Sequence, residues 1–281
     1  MDGTVGAGGH AAGILAASAP DGQLLGMDVD PQALELARRK LAGYGERAHL
    51  VQASYTALTC QLAGLGWKAV NGILLDLGAS SMQFDTPQRG FSFQADGPLD
   101  MRFDPSNPLT AAELVNRLPE AELAEVIYCY GEEPAARRIA QAIVRARPVT
   151  GTRQLAEIVA KVKGGKRGHL HPATQTFQAL RIAVNDELQV LEAVLPQAMA
   201  ALAPCGRLAV IAFHSLEDRI VKGFFRRESR DCLCPPRQPV CTCWHKASIR
   251  EITRHPIRPA AEEIAQNPRT RSARLRVAEK I

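Results

Sequence analysis

Three observations predict an α/β fold with a mainly parallel sheet and one helical insertion. Helix-like and strand-like segments alternate over residues 1–80. Two near-continuous apolar runs, Val70-Asn71-Gly72-Ile73-Leu74-Leu75-Asp76 and Gly206-Arg207-Leu208-Ala209-Val210-Ile211-Ala212-Phe213, have the character of strands buried on both faces. Between them, residues 110–163 read as helices without strands. A chain of 281 residues holds one large domain, or one domain with an insertion. The expected division is a discontinuous core, residues 1–104 and 181–281, and a helical insertion, residues 105–180.

The first element is the turn Asp2-Gly3-Thr4-Val5-Gly6-Ala7-Gly8-Gly9-His10, leading into a helix over residues 11–18. Glycines let the backbone turn sharply and approach a ligand, and the helix behind them presents free N–H groups. Leu24-Leu25-Gly26-Met27 reads as a buried strand ending in Asp28. An acid about 20 residues after a glycine turn, at the tip of the next strand, suits a ribose hydroxyl pair. A nucleoside-containing cofactor is expected. For Asp28 the alternative is a cap on the helix at Pro31. The chain starts inside this motif, so the strand before the glycines is expected to be missing or nearly so.

Residues 31–41 form the next helix, with Leu34, Ala37 and Leu41 on one face and Pro31 in the first turn. His49-Leu50-Val51-Gln52 is a short strand, and Tyr55 follows it, placed either to flank an adenine or to join the core. Residues 70–76 then make a central parallel strand with Asp76 at its ligand-side tip. Residues 82–108, rich in Gly, Pro, Asp and Phe, form a long ordered loop of the kind that is usually functional. Helices follow at residues 110–117, 120–130, 134–146 and 152–162. A basic, glycine-rich connector covers residues 161–171, and residues 173–201 are helical. After the strand at 206–213, Ser215 begins a helix with Glu217 and Asp218 in its first turn. Residues 229–245 are a Cys/Pro loop, and residues 272–281 alternate like an edge or antiparallel strand.

Net charge is +5, which permits a nucleic-acid partner without requiring one. There is no signal-like segment and no apolar run of membrane-spanning length, which points to a cytoplasmic protein with no membrane partner. Seven cysteines in such a chain argue against a disulfide framework. His214 and Ser215 are adjacent and so face opposite ways on a strand, and no nucleophile elbow is visible. A serine hydrolase is therefore disfavoured.

Seven blocks, in order, resemble one family: residues 2–10; Asp76-Leu77-Gly78-Ala79-Ser80-Ser81-Met82-Gln83; Arg89-Gly90-Phe91-Ser92-Phe93; Gly97-Pro98-Leu99-Asp100-Met101-Arg102; Gln178-Ala179-Leu180-Arg181-Ile182-Ala183-Val184-Asn185-Asp186-Glu187-Leu188; Phe213-His214-Ser215-Leu216-Glu217-Asp218-Arg219; and Asn267-Pro268-Arg269-Thr270-Arg271-Ser272-Ala273-Arg274-Leu275-Arg276. The chain is similar over its whole length to the bacterial ribosomal RNA small subunit methyltransferase H family. The resemblance implies a class I, Rossmann-like methyltransferase fold whose first strand is missing here. It implies transfer of methyl from S-adenosylmethionine to N4 of a cytidine in the decoding region of 16S ribosomal RNA, within the small ribosomal subunit. It also implies cofactor contacts at Gly8, Gly9, His10, Asp28, Tyr55, Asp76 and Gln83. The helical insertion becomes the expected RNA-recognition unit.

The chemistry narrows the candidates further. A cytosine amine is a poor nucleophile because its lone pair is delocalised. An acceptor holding one N–H stabilises the charge that develops on transfer. Asp76 is the first candidate for that acceptor, with Asn185 and His214 completing the catalytic set. Capping or core hydrogen bonding is the alternative role for Asn185, and a purely cofactor-binding role for Asp76. Phe91 and Phe93 are candidates for stacking on an extruded base, with burial in the core as the alternative. Lys163, Lys166 and Arg167 are candidate phosphate contacts, as are the arginines of residues 254–276, unless they form only a solvated surface. Cys232, Cys234, Cys241 and Cys243 suit a structural zinc ion, although their one-residue gaps are not the usual spacing. Disulfides or free thiols are the alternatives. Two other functions stand as alternatives: a ribosome-assembly factor that keeps the fold without catalysis, motivated by the missing first strand, and a nicotinamide-dependent oxidoreductase built on the same glycine–acid pattern. Cofactor binding separates them.

Overall fold

The computed structural model describes residues 1–164, 171–235, 238 and 240–281. It divides into two compact units, residues 1–78 with 188–281, and residues 79–187.

The first unit is built on six strands: β1 (Leu24–Asp28), β2 (Ala48–Gln52), β3 (Val70–Asp76), β4 (Leu202–Ala212), β5 (Ile249–Glu251) and β6 (Arg274–Lys280). β1 pairs with β2, and β3 with β4, in parallel. β6 runs antiparallel to both β4 and β5. Among the described residues no named strand precedes β1, yet its slot is filled. Asp2 bridges Gly26 on one side and Leu74 on the other, both in parallel. The amides of Asp2 and Val5 donate to Leu25 and Met27, and that of Gly3 donates to Leu74. The order across the sheet is therefore β2-β1-(1–5)-β3-β4-β6-β5. Chain direction through the order reverses at residues 1–5, the switch point where ligands bind in open α/β sheets.

Local chemistry explains the flanking helices. Asp30 caps the helix Pro31–Leu41 by accepting from the Gln32 amide at 2.9 Å, and Pro31 occupies the first helical position. Ala33, Leu34, Ala37 and Leu41 fall on its buried face and pack with Val5, Ala11, Leu15 and Leu24. On the other side of the sheet, the helix Glu187–Ala201 contributes Leu191, Val194, Leu195 and Ala198 to a core shared with Leu25, Met27, Ile73, Leu75, Leu208 and Val210. Burying each such side chain stabilises the fold by roughly 1.5–3 kcal/mol before entropy is counted.

The continuous helix expected over 173–201 is broken. Asp186 sits in the left-handed region at φ 50°, splitting it into Thr174–Asn185 and Glu187–Ala201. β6 is flanked on both sides rather than lying at the edge. The edge strand is β5, three residues long and unread in the sequence.

The second unit is helical: Ala111–Arg117, Glu120–Gly131, Ala136–Arg145, Thr152–Lys163 and Thr174–Asn185 surround a core of Leu123, Ile127, Ile139, Ile143, Leu155 and Leu180. It is wider than the expected 105–180, because the long loop folds into it. Arg89, buried, donates to the carbonyls of Arg102 and Phe103, and Leu99 and Met101 enter the helical core. Gly90 makes this turn possible at φ 71°. A Cβ there would lie 2.2 Å from the Pro98 carbonyl oxygen. Gly90→Ala is expected to destabilise this unit by about 1–3 kcal/mol from backbone strain alone. Urea unfolding measures it, and an unchanged midpoint would mean the loop rearranges freely. No helix among the described residues is long and apolar enough to cross a membrane.

Candidate active site

In the first unit the glycine turn and the tips of β1 and β3 come together at the switch point. Gly6 and Gly8 have φ of 51° and 81°, and Gly8 is the left-handed N-cap of the helix Gly9–Ala17. Those angles strain any residue with a Cβ, so the turn requires glycine. An added Cβ at Gly9 would meet nothing within 4 Å, so the backbone is open to close approach there.

Asp28 ends β1. One carboxylate oxygen accepts from the Gly6 amide at 2.9 Å and the other from the Asp30 amide at 2.9 Å. The helix cap is Asp30, so Asp28 instead anchors the glycine turn. Each of its oxygens retains acceptor capacity. Burial raises its carboxyl pKa, and the amides of Asp30 and Gly6 oppose that shift. Tyr55, half-buried in the short 3-10 turn after β2, packs against the sheet core.

Asp76 ends β3. Its amide donates to the Thr4 hydroxyl at 2.7 Å, which ties β3 to the glycine turn. His10 Nδ1 lies 3.6 Å from Asp76 Oδ2. Asp76 Oδ1 is buried and has no hydrogen-bond partner among the described residues, and the same holds for Asp2 Oδ2. Burial raises the Asp76 pKa, with His10 lowering it and Glu217 raising it. Asp2 is fully buried. Burial pushes its carboxyl up to about 6, against the pull of the Thr4 amide and His10, while Asp76 adds to the rise. Unpartnered buried carboxylate oxygens are costly. Two of them beside an open glycine turn suit a ligand carrying positive charge or N–H donors.

The Asp2 shift has a consequence for stability. Its folded pKa lies above the unfolded value, so the folded state binds more protons between the two. Stability is full below about pH 4 and falls as pH rises through about 6, by about 3 kcal/mol in total. Asp2→Asn is expected to remove that fall, as read by urea unfolding at points across this range. An unchanged pH slope would place the titration elsewhere.

His214 follows β4 and caps the helix Ser215–Glu228. Its Nδ1 accepts from the Glu217 amide at 3.4 Å, and Glu217 Oε2 accepts from the Phe213 and His214 amides at 2.8 and 3.2 Å. Nε2 lies 3.1 Å from Glu217 Oε1 without the alignment of a hydrogen bond. The histidine expected to be catalytic is thus first a buried cap. Asp218, on the same helix, forms ion pairs with Arg276 at 2.6 Å and Arg274 at 3.2 Å. These two arginines are tied to a carboxylate rather than standing free for phosphate.

In the second unit, several expectations are corrected. Asn185 accepts from the Phe103 amide at 2.7 Å and donates to the carbonyls of Met101 and Arg181 at 2.7 and 2.9 Å. Its amide pins residues 101–103, as in the core hydrogen-bonding alternative. Phe91 is buried and stacked on Phe103 at 5.5 Å, so it is a core residue and not a base platform. Lys163 is ion-paired with buried Glu133 and bonded to Gln175 at 3.1 Å, so its charge is already neutralised. Phe93 is half-buried against His171 and Phe177. Gln83 is buried, and its side chain completes a capping box by accepting from the Ser80 amide at 3.0 Å. Lys166 and Arg167 lie outside the described residues.

Asp2 and Thr4 were not singled out by sequence reasoning, although both stand in the quoted glycine motif. Alternation along a central strand was the available signal, and five residues are too few to display it. The four cysteines are brought together, with all four sulfurs within 4.8 Å of one another.

A mainly parallel sheet with a glycine turn and two acids at its switch point defines a Rossmann-like core of the kind that binds a nucleoside-containing cofactor. The family described as the MraW methylase family matches residues 1–281, and the chain belongs to that family. It is 55% identical over 284 residues to the ribosomal RNA small subunit methyltransferase H of Thermomicrobium roseum, covering 100% of this chain and 87% of the relative. It is 51% identical over 281 residues to the protein of that name from Dehalococcoides mccartyi, covering 100% of this chain and 80% of the relative. It is 52% identical over 286 residues to that of Geobacter sulfurreducens, covering 100% and 92%.

Proposed function

We propose that this chain uses S-adenosylmethionine to methylate N4 of a cytidine in the decoding region of 16S ribosomal RNA, in the small ribosomal subunit and in the cytoplasm. The observation that carries the reading is the pair of buried, unpartnered carboxylate oxygens, Asp2 Oδ2 and Asp76 Oδ1, beside an open glycine turn. Membership of a methylase family and the names of the relatives support ribosomal RNA of the small subunit as the substrate class.

The residues fit the cofactor. Gly8 and Gly9 allow its amino-acid part to approach the backbone. Ionised Asp2 suits a cationic group, so affinity falls as pH drops through about 6. Asp28 keeps acceptor capacity for two ribose hydroxyls, Tyr55 borders the adenine side, and His10 sits at the mouth beside Asp76. Bound S-adenosylmethionine supplies a methyl group activated by a cationic sulfur.

The chain's own residues then position the nucleophile, and positioning provides much of the rate. Asp76 Oδ1 accepts one N–H of the exocyclic amine, favours a pyramidal nitrogen and stabilises the charge that develops on it. A carboxylate whose pKa is raised by burial is also a stronger acceptor for the proton that this nitrogen must release. His214 and Glu217 hold the start of the neighbouring helix. RNA phosphates are served by a groove lined by Arg226, Arg230 and Arg254.

Calorimetric titration with S-adenosylmethionine and with nicotinamide dinucleotides tests the reading, followed by transfer of labelled methyl to small subunits. Binding of the first with transfer to RNA is expected. Binding of a nicotinamide instead, or binding with no transfer, would overturn it.

A further inference from the structure

The loop between the helix Ser215–Glu228 and β5 carries two Cys-x-Cys arms, Cys232 with Cys234 and Cys241 with Cys243. Four of the six sulfur separations lie between 3.5 and 4.0 Å, namely Cys232–Cys241 3.5 Å, Cys241–Cys243 3.6 Å, Cys232–Cys243 3.7 Å and Cys234–Cys241 4.0 Å, and all six are within 4.8 Å. Four thiolates placed tetrahedrally at about 2.3 Å from a zinc ion have sulfur–sulfur edges of about 3.8 Å. Two disulfides would instead draw the sulfurs into two pairs at about 2.0 Å. Edges in this range are the mark of one shared centre.

The surroundings favour thiolates. The Leu233 amide donates to Cys243 Sγ at 3.2 Å, the Cys234 amide to Cys232 Sγ at 3.4 Å and the Thr242 amide to Cys234 Sγ at 3.4 Å. Such donors orient ligand sulfurs and stabilise their charge. Four sulfurs this close cannot all ionise without a cation among them.

Apolar burial does not hold the loop together. Leu233, Val240 and Trp244 are exposed, at 40%, 71% and 90%, and none of the described residues within 229–248 joins a buried core cluster. Its base is tied by the Ser248 amide to the Glu228 carbonyl at 2.9 Å and by His245 Nε2 to the Arg227 carbonyl at 3.1 Å. Toward its tip, the two arms meet at the sulfurs.

We infer that Cys232, Cys234, Cys241 and Cys243 bind one zinc ion through four thiolates, as a closed structural site that staples this loop. Binding releases the remaining thiol protons and leaves a centre of net charge −2, with no position for water or substrate. The ion therefore takes no part in methyl transfer, and the inference stands apart from the function proposed above.

The test uses the full chain, purified under reducing conditions without chelator. Elemental analysis is expected to find about one zinc per chain. Exchange with cobalt should give the intense visible bands of a tetrahedral tetrathiolate. The double variant Cys232→Ser, Cys243→Ser should lose both signals while keeping its circular dichroism and S-adenosylmethionine affinity. It should also be nicked faster by protease within residues 229–248. Absence of zinc together with no cobalt spectrum after reconstitution would overturn the inference. So would mass-spectrometric detection of two disulfides in the protein as expressed, or full metal retention in the double variant.

Discussion

Asp76→Asn is expected to lower methyl transfer by about 10²–10³-fold, the loss typical of removing one preorganised group that faces developing charge. The substitution keeps the shape of the side chain but replaces a carboxylate with an amide. The amide can turn a donor toward the substrate amine, and it cannot take up the proton. The fold should tolerate the change. Asp76 Oδ1 has no hydrogen-bond partner to lose, and the backbone link from the Asp76 amide to Thr4 is independent of the side chain. Thermal stability is therefore expected to hold or rise, because a buried charge is removed. The loss belongs in kcat measured at saturating cofactor and RNA, with cofactor affinity changed far less. Near-normal turnover would remove Asp76 from the chemistry and leave it a cofactor contact.

Asp28→Ala is expected to weaken S-adenosylmethionine binding by about 10²-fold, since hydrogen bonds to a charged acceptor contribute about 1.5–3 kcal/mol. A second effect runs through the backbone. Asp28 anchors the amides of Gly6 and Asp30, so truncation leaves two donors without their acceptor and loosens the glycine turn. This costs stability of about 1–3 kcal/mol. Asp28→Asn separates the two effects, because its amide oxygen still accepts one of these bonds. The expected order of affinity is Asp, then Asn, then Ala, read by calorimetry. Equal affinity in all three would put the ribose elsewhere.

The parts of this molecule readable in the sequence were those with local causes. The glycine turn, Asp28 and Asp76 were legible because a tight turn before a helix and acids at the tips of apolar runs follow from chain geometry alone. The helix cap near Pro31 was legible as a need, but its owner was not: Asp30 and Asp28 are two residues apart, and only the three-dimensional turn shows that Asp28 faces Gly6 instead. The structural partners of Asn185, Phe91 and Lys163 were not legible, for a common reason. Each has a functional residue type, and each finds a partner distant in sequence: Met101 and Phe103, then Phe103, then Glu133. Long-range partners leave no periodicity to read. The break at Asp186 was hidden because a single left-handed residue interrupts helix without changing the apolar pattern on either side. The edge strand Ile249–Glu251 was hidden because three residues cannot display alternation.

Incubating the protein with S-adenosylmethionine and small ribosomal subunits that lack the modification, then digesting the RNA and identifying the methylated nucleoside by mass spectrometry, tests the central claim most directly. N4-methylcytidine at a single site in the decoding region is the predicted result. Methylation on another atom or another base, or no methylation by protein that binds the cofactor normally, would contradict it.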